Sequence, residues 1–168
     1  MKEQTKDRQV DQSNYSLILS GLIKKLGKRV LFYNLQETDE TDKIVCQITN
    51  HYYKKRMKIL LIGDDISHLQ KLDELLWTFE QNSFVPHSLN SDYDNCPVII
   101  TLLDNLEEIL KKTKFNVLFN LTLTKMMIDI DTDLYVEIVT SDERQKTIAR
   151  EKFSHYKNND LITSYEYF

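Results

Sequence analysis

Apolar residues along this chain come in short blocks separated by polar stretches, and the blocks change period. Val30-Leu-Phe-Tyr-Asn-Leu35 is a nearly unbroken apolar run and reads as a buried strand. Gln36 to Thr41 is a polar loop, with Thr41 or Asp42 as the expected cap of a helix running to about Lys55. In that helix Ile44, Val45, Ile48 and Tyr52 recur at helical spacing. Lys58-Ile-Leu-Leu-Ile-Gly63 is the clearest strand, its continuous apolar run typical of a sheet covered on both faces. A second helix starts at Ser67 or Asp65 and carries Leu69, Leu72, Leu75, Leu76 and Phe79. Pro97–Leu103, Phe115–Leu121 and Leu134–Val139 read as three more strands. A short helix over Leu106–Lys112 and a final helix over about Asp142–Lys157 complete the pattern.

Strands alternating with helices imply parallel pairing through crossovers. The expected fold is α/β: one Rossmann-like domain with a mostly parallel five-stranded sheet and helices on both faces. Residues 28–168 make up that domain. Residues 1–27 form an extension, polar through residue 13 and able to form a short helix over 14–26.

Composition narrows the function. The chain has 168 residues, 41% of them apolar, enough for a sizeable core. Its net charge of -4 argues against bulk nucleic-acid binding, so local charge matters more. No segment approaches the ~20 apolar residues of a membrane span. Tyr15–Ile23 is too short and too serine-interrupted for a signal peptide, so a cytoplasmic protein is expected. Cys46 and Cys96 read as buried thiols.

The strand-to-helix turns offer little to a nucleotide. The first, Asn34–Thr41, has no glycine and three acidic residues; the second is Gly63-Asp64-Asp65. A pyrophosphate needs close backbone approach and free amides, which neighbouring carboxylates oppose. Asp129, Asp131 and Asp133 echo the first half of a calcium loop, but Leu134 and Thr140 stand where the loop needs Gly and Glu. No two of His51, His68, His87 and His155 have metal-ligand spacing. His87, after Pro86, reads as a histidine bonded to backbone. Neither a cofactor nor intrinsic catalysis is expected.

The last helix carries more signal. At 100° per residue, Lys146, Arg150 and Lys157 lie within about 40° of one another, with Phe153 beside them. Over Glu143–Lys157 there are five basic and two acidic residues in an acidic protein. From spacing alone such a run reads first as an ordinary solvated helix face; a basic stripe with an exposed aromatic also suits an acidic peptide with an apolar end.

Four ordered segments resemble one family. Lys28-Arg-Val-Leu-Phe-Tyr-Asn-Leu35 and Lys58-Ile-Leu-Leu-Ile-Gly-Asp64 look like its first two strands. Leu72-Asp-Glu-Leu-Leu-Trp77 with Ser83-Phe-Val-Pro-His-Ser-Leu89 resembles its most specific signature, and Ile148-Ala-Arg-Glu-Lys-Phe153 with Tyr156-Lys157 its closing helix. The family is the chi subunit of bacterial DNA polymerase III. The resemblance implies a non-catalytic adaptor with two partners, the psi subunit and the acidic C-terminal tail of single-stranded-DNA-binding protein. It implies tail binding by Lys146, Arg150, Phe153 and Lys157, and a psi-facing surface at Trp77 and Phe84, residues that core packing would explain equally well. The family commonly has tyrosine at the position of Phe153 and lysine at that of Ser154, departures consistent with a scaffold that has lost tail binding. The rival function is a Rossmann-like enzyme acting on a small molecule or nucleotide.

Overall fold

The computed structural model describes residues 27–37, 40–81, 83–90, 95–127 and 129–167. The expected helix over 14–26 and the polar start of the chain lie outside the described residues. The elements, in chain order, are β1 (Arg29–Asn34), α1 (Thr41–Lys54), β2 (Ile59–Gly63), α2 (Ile66–Thr78), β3 (His87–Leu89) and β4 (Val98–Leu102). A single 3-10 turn (Leu103–Asn105) then leads into α3 (Leu106–Lys112). β5 (Val117–Asn120), β6 (Leu134–Val139), α4 (Glu143–Lys157) and β7 (Ile162–Tyr167) follow.

The strands form one sheet in the order β3-β4-β2-β5-β6-β1-β7. Every pairing in it is parallel. The five expected strands make up its contiguous centre. Two more extend the edges, so the sheet has seven strands, not five, and is wholly parallel rather than mostly so. The missed strands lack the signal that marks buried ones. β3 is three residues long, and five of the six positions of β7 are exposed. An edge strand half in water needs no apolar run.

The centre shows what the continuous runs mean. All five residues of β2 and all four of β5 are buried. Alternate side chains serve opposite layers. Ile59, Leu61, Val117 and Phe119 pack with Ile44, Ile48 and Tyr52 of α1 and Leu69, Leu72 and Leu76 of α2. Leu60, Ile62 and Leu118 pack with Leu106 and Ile109 of α3 and Tyr156 of α4. Helices therefore cover both faces. Fully burying one such leucine contributes about 1.5–3 kcal/mol.

Side-chain caps start α2 and α4 but not α1 or α3. Asp65 caps α2 by accepting the Ser67 amide at 2.9 Å. The N-cap of α1 is Glu40, with no side-chain cap bond, rather than Thr41 or Asp42. Asp42 instead bonds His68 Nε2 of α2 at 2.8 Å, tying the two helices together. Burial pushes the Cys46 thiol up to about 12, as expected for an inert core residue, while Cys96 is only half-buried.

Because every strand runs the same way, all carboxyl ends meet at one pole of the molecule and all amino ends at the other. No described helix is long and apolar enough to cross a membrane.

Candidate functional site

At the carboxyl pole, α4 lies against β6 and β7. Its first turn is fixed by Asp142, whose carboxylate accepts the Gln145 amide at 2.9 Å. Its inner face is held by a buried polar network around Glu137 of β6. Lys152 Nζ donates to Glu137 Oε2 at 2.7 Å and to the Thr122 carbonyl at 2.6 Å. The Tyr156 hydroxyl and Asn120 Nδ2 donate to Glu137 Oε1 at 2.6 and 2.8 Å. Asn120 in turn accepts from the Thr122 amide and hydroxyl. Burial pushes the Glu137 carboxyl up, opposed by the Lys152 ammonium and by the three donors. A buried ion pair needs further hydrogen bonds to offset its desolvation, and here the Thr122 carbonyl, Tyr156 and Asn120 supply them. It pins the helix to one register on the sheet.

Lys152, one of the five basic residues of Glu143–Lys157, is 5% exposed and faces inward, on the side of the helix opposite the stripe of Lys146, Arg150 and Lys157. A charge inside the apolar run Leu134-Tyr-Val-Glu-Ile-Val139 was the signal available, since a mid-strand carboxylate demands a buried partner.

The outer face of α4 borders a groove of about 410 Å3. Lys146, Ala149 and Arg150 form one wall, Tyr165 and Tyr167 of β7 the other, and Asn34 to Gln36 with Val139 and Thr140 the floor. Lys146 is half-exposed and pairs with Glu143 at 2.8 Å, which holds the Glu143 carboxyl below the usual range. Arg150 is exposed and makes no ion pair among the described residues. Phe153 is half-buried rather than exposed. Its ring stacks on Tyr165 at 5.0 Å and meets Phe32 at 5.7 Å. β7 is the cause: the unexpected edge strand lays Tyr165 over Phe153, so the exposed aromatic of the groove is Tyr165, with Tyr167 beyond it. Lys157 stands exposed nearer the end of the helix, outside the residues that line the groove. The structure thus brings together Lys146 and Arg150, puts Phe153 beneath the groove and leaves Lys157 aside. The alternation Tyr165-Glu-Tyr167 was the readable sign of the missed wall.

Trp77 and Phe84 lie apart from this groove, at the end of α2 and in the segment before β3. They are 51% and 61% exposed, which argues against simple core packing. Their rings meet at 5.3 Å, and Trp77 lies 4.5 Å from the ring of His87. His87 is bonded to backbone as expected, Nδ1 to the Val85 carbonyl at 2.7 Å and Nε2 to that of Asp73 at 3.0 Å. It fixes the segment carrying Phe84 against α2. Paired exposed aromatics on a rigid base are the usual anchors of a protein interface.

The second strand-to-helix turn is filled by the protein itself. A Cβ on Gly63 would stand 2.6 Å from Leu69 Cδ2, so this glycine serves close packing of α2 on β2. The Ser67 amide in the first turn of α2 donates to the Asp65 carboxylate. Asp131 pairs with Lys114, and Asp133 accepts from Asn116. No cluster of three metal-ligating side chains occurs among the described residues.

A wholly parallel, Rossmann-like sheet with helices on both faces and a cationic aromatic groove at one edge defines a protein of the α/β class. Comparison with known proteins gives the family. The chain belongs to the family described as DNA polymerase III chi subunit, HolC, whose model matches residues 28–163. It is similar to the DNA polymerase III subunit chi of Pseudomonas aeruginosa, 26% identical over 131 residues, covering 77% of this chain and 89% of that protein. The corresponding subunits of Haemophilus influenzae and Escherichia coli are 25% and 24% identical, over 79% and 77% of this chain and 92% and 91% of their own lengths.

Proposed function

We propose that this protein is a non-catalytic accessory subunit of the DNA polymerase III holoenzyme that works in the cytoplasm as a tether. Its groove at the carboxyl pole takes the acidic C-terminal tail of single-stranded-DNA-binding protein, and its Trp77–Phe84 surface takes the psi subunit. The observation that carries this reading is the convergence of Lys146 and Arg150 with Tyr165 and Tyr167 on one groove. Arg150 pairs with the tail's carboxylates, Lys146 adds field, and the tyrosine wall over Phe153 packs against the apolar end. Lys157 extends the positive field along the helix. Residues 28–168 supply both surfaces, and residues 1–27 are an appended extension. Two modest affinities on one rigid body then combine through effective concentration.

The test is binding of a labelled peptide copied from the cognate tail, at low and high salt. Wild type binds in the micromolar range and weakens with salt, since the charge pairs are exposed. Arg150→Ala lowers affinity about tenfold or more. A folded wild type that ignores the peptide would sink the tail-docking mechanism. For the second surface, Trp77→Ala abolishes co-elution with psi while leaving peptide affinity unchanged.

A further inference from the structure

We propose a second binding site, for the backbone of single-stranded nucleic acid, at the amino pole of the sheet, on the side of the molecule away from the groove of α4. After α1 the chain reads Tyr53-Lys-Lys-Arg-Met-Lys58 and enters β2. Here a groove of about 520 Å3 opens, lined by Tyr53, Lys54, Arg56, Met57, Lys58 and the segment Asn95–Pro97. Among the described residues that line it there is no carboxylate, in a chain whose net charge is -4. Lys54 and Arg56 are exposed and make no ion pair among the described residues. Lys58 forms the floor, its ammonium on the Thr113 hydroxyl at 2.7 Å and over the Phe115 ring. On the far side of the turn, Lys55 lies over Tyr52 and borders, with Arg29, a second groove whose acids are Asp133 and Glu166.

The turn holds an independent sign. Arg56 N–H donates to the Tyr53 carbonyl at 2.8 Å, and Met57 N–H to that of Tyr52 at 3.2 Å. These are the two bonds of a Schellman helix stop, whose left-handed residue is usually glycine. Here that residue is Arg56, at φ 60°. A side chain in this conformation carries a steric cost that glycine avoids. A strained residue at a surface turn is a pointer to function when it also supplies chemistry, and this one supplies the one guanidinium among the described residues that line the groove.

The occupant follows from the lining. Cations alone would suit any polyanion. Cations around a half-buried tyrosine ring and a thioether suit phosphates with a base stacked between them. A strand held here would cross the pole opposite the α4 groove, so one subunit could hold nucleic acid and a peptide at once, ~20 Å apart across the length of the strands.

The test uses the full chain and a labelled oligothymidine of about 20 nucleotides, followed by fluorescence anisotropy at low salt. Wild type binds, with a log–log salt slope of about -2, the value for roughly three phosphates on a single strand. Lys54→Glu lowers affinity about tenfold, two ordinary charge contacts being changed at once. Arg56→Gly raises the thermal midpoint by about 2–4 °C and lowers affinity several-fold, a pairing of better folding with poorer binding that a merely structural arginine cannot produce. Arg150→Ala binds the oligonucleotide like wild type, which separates this site from the peptide groove. Absence of binding at low salt overturns the proposal, as does wild-type affinity in both Lys54→Glu and Arg56→Gly. Displacement by polyglutamate as readily as by unlabelled oligothymidine also overturns it, because the surface then recognises acidic chains and not nucleic acid.

Discussion

Two lysines of the same helix, Lys146 and Lys152, each hold a glutamate at almost the same distance, 2.8 and 2.7 Å. The first pair is exposed, with Glu143 standing 79% in solvent; the second is 6% and 2% exposed. Distance therefore says nothing about which one matters to the fold. Solvent screens the outer pair, and its partners keep water as an alternative. The inner pair has no alternative, so breaking it leaves a charge stranded in the core. The contrast also divides α4: the inner face fixes where the helix sits, and the outer face stays in solvent.

The largest test of that contrast is Lys152→Ala. It strands Glu137 and costs about 3–5 kcal/mol in chemical denaturation. Replacing both partners, Lys152→Met with Glu137→Leu, regains stability over the single variant, because an apolar pair leaves no buried charge. A loss below about 1 kcal/mol for Lys152→Ala would erase the distinction between the two faces.

Alkaline pH probes the interior next. Burial raises the phenols of Tyr33, Tyr135 and Tyr156 above their ordinary value, so the folded state holds its protons longer than the unfolded chain. The stability they contribute is fully present below about pH 10 and is lost as pH climbs from there toward the folded values, by about 1.4 kcal/mol per pH unit for each. Tyr135→Phe should flatten that slope in denaturation curves taken between about pH 9 and pH 11. An unchanged slope would mean that Tyr135 does not contribute.

The smallest expected effect on folding is that of Lys146→Ala, whose thermal midpoint should match wild type, while its affinity for the acidic tail peptide falls. A large stability loss here would place Lys146 with Lys152 as a structural residue.

How much was legible follows from the same physics. The five central strands were readable because strands buried on both faces need unbroken apolar runs, as in Ile59–Ile62 and Val117–Phe119. β7 was not, because Ser164 and Glu166 face solvent at an edge and carry no burial signal. That omission hid Tyr165 and Tyr167 and made Phe153 look exposed. Lys146 and Arg150 were found by helical spacing alone, since a helix face is set by local geometry.

By itself, the amino-acid sequence determined the layer order, the central strands, four helices and the segments by which the family is recognised. These depend on local period, caps and charge, which neighbours in the chain decide. Only the tertiary structure decided which lysines of α4 are buried, which aromatic lines the groove and that Trp77 and Phe84 stand in solvent. Those outcomes depend on contacts between residues far apart in the chain, Lys152 with Glu137 and Phe153 with Tyr165. A lysine carries the same local signal whether it meets water or a buried carboxylate, and only the packing of one element on another settles which.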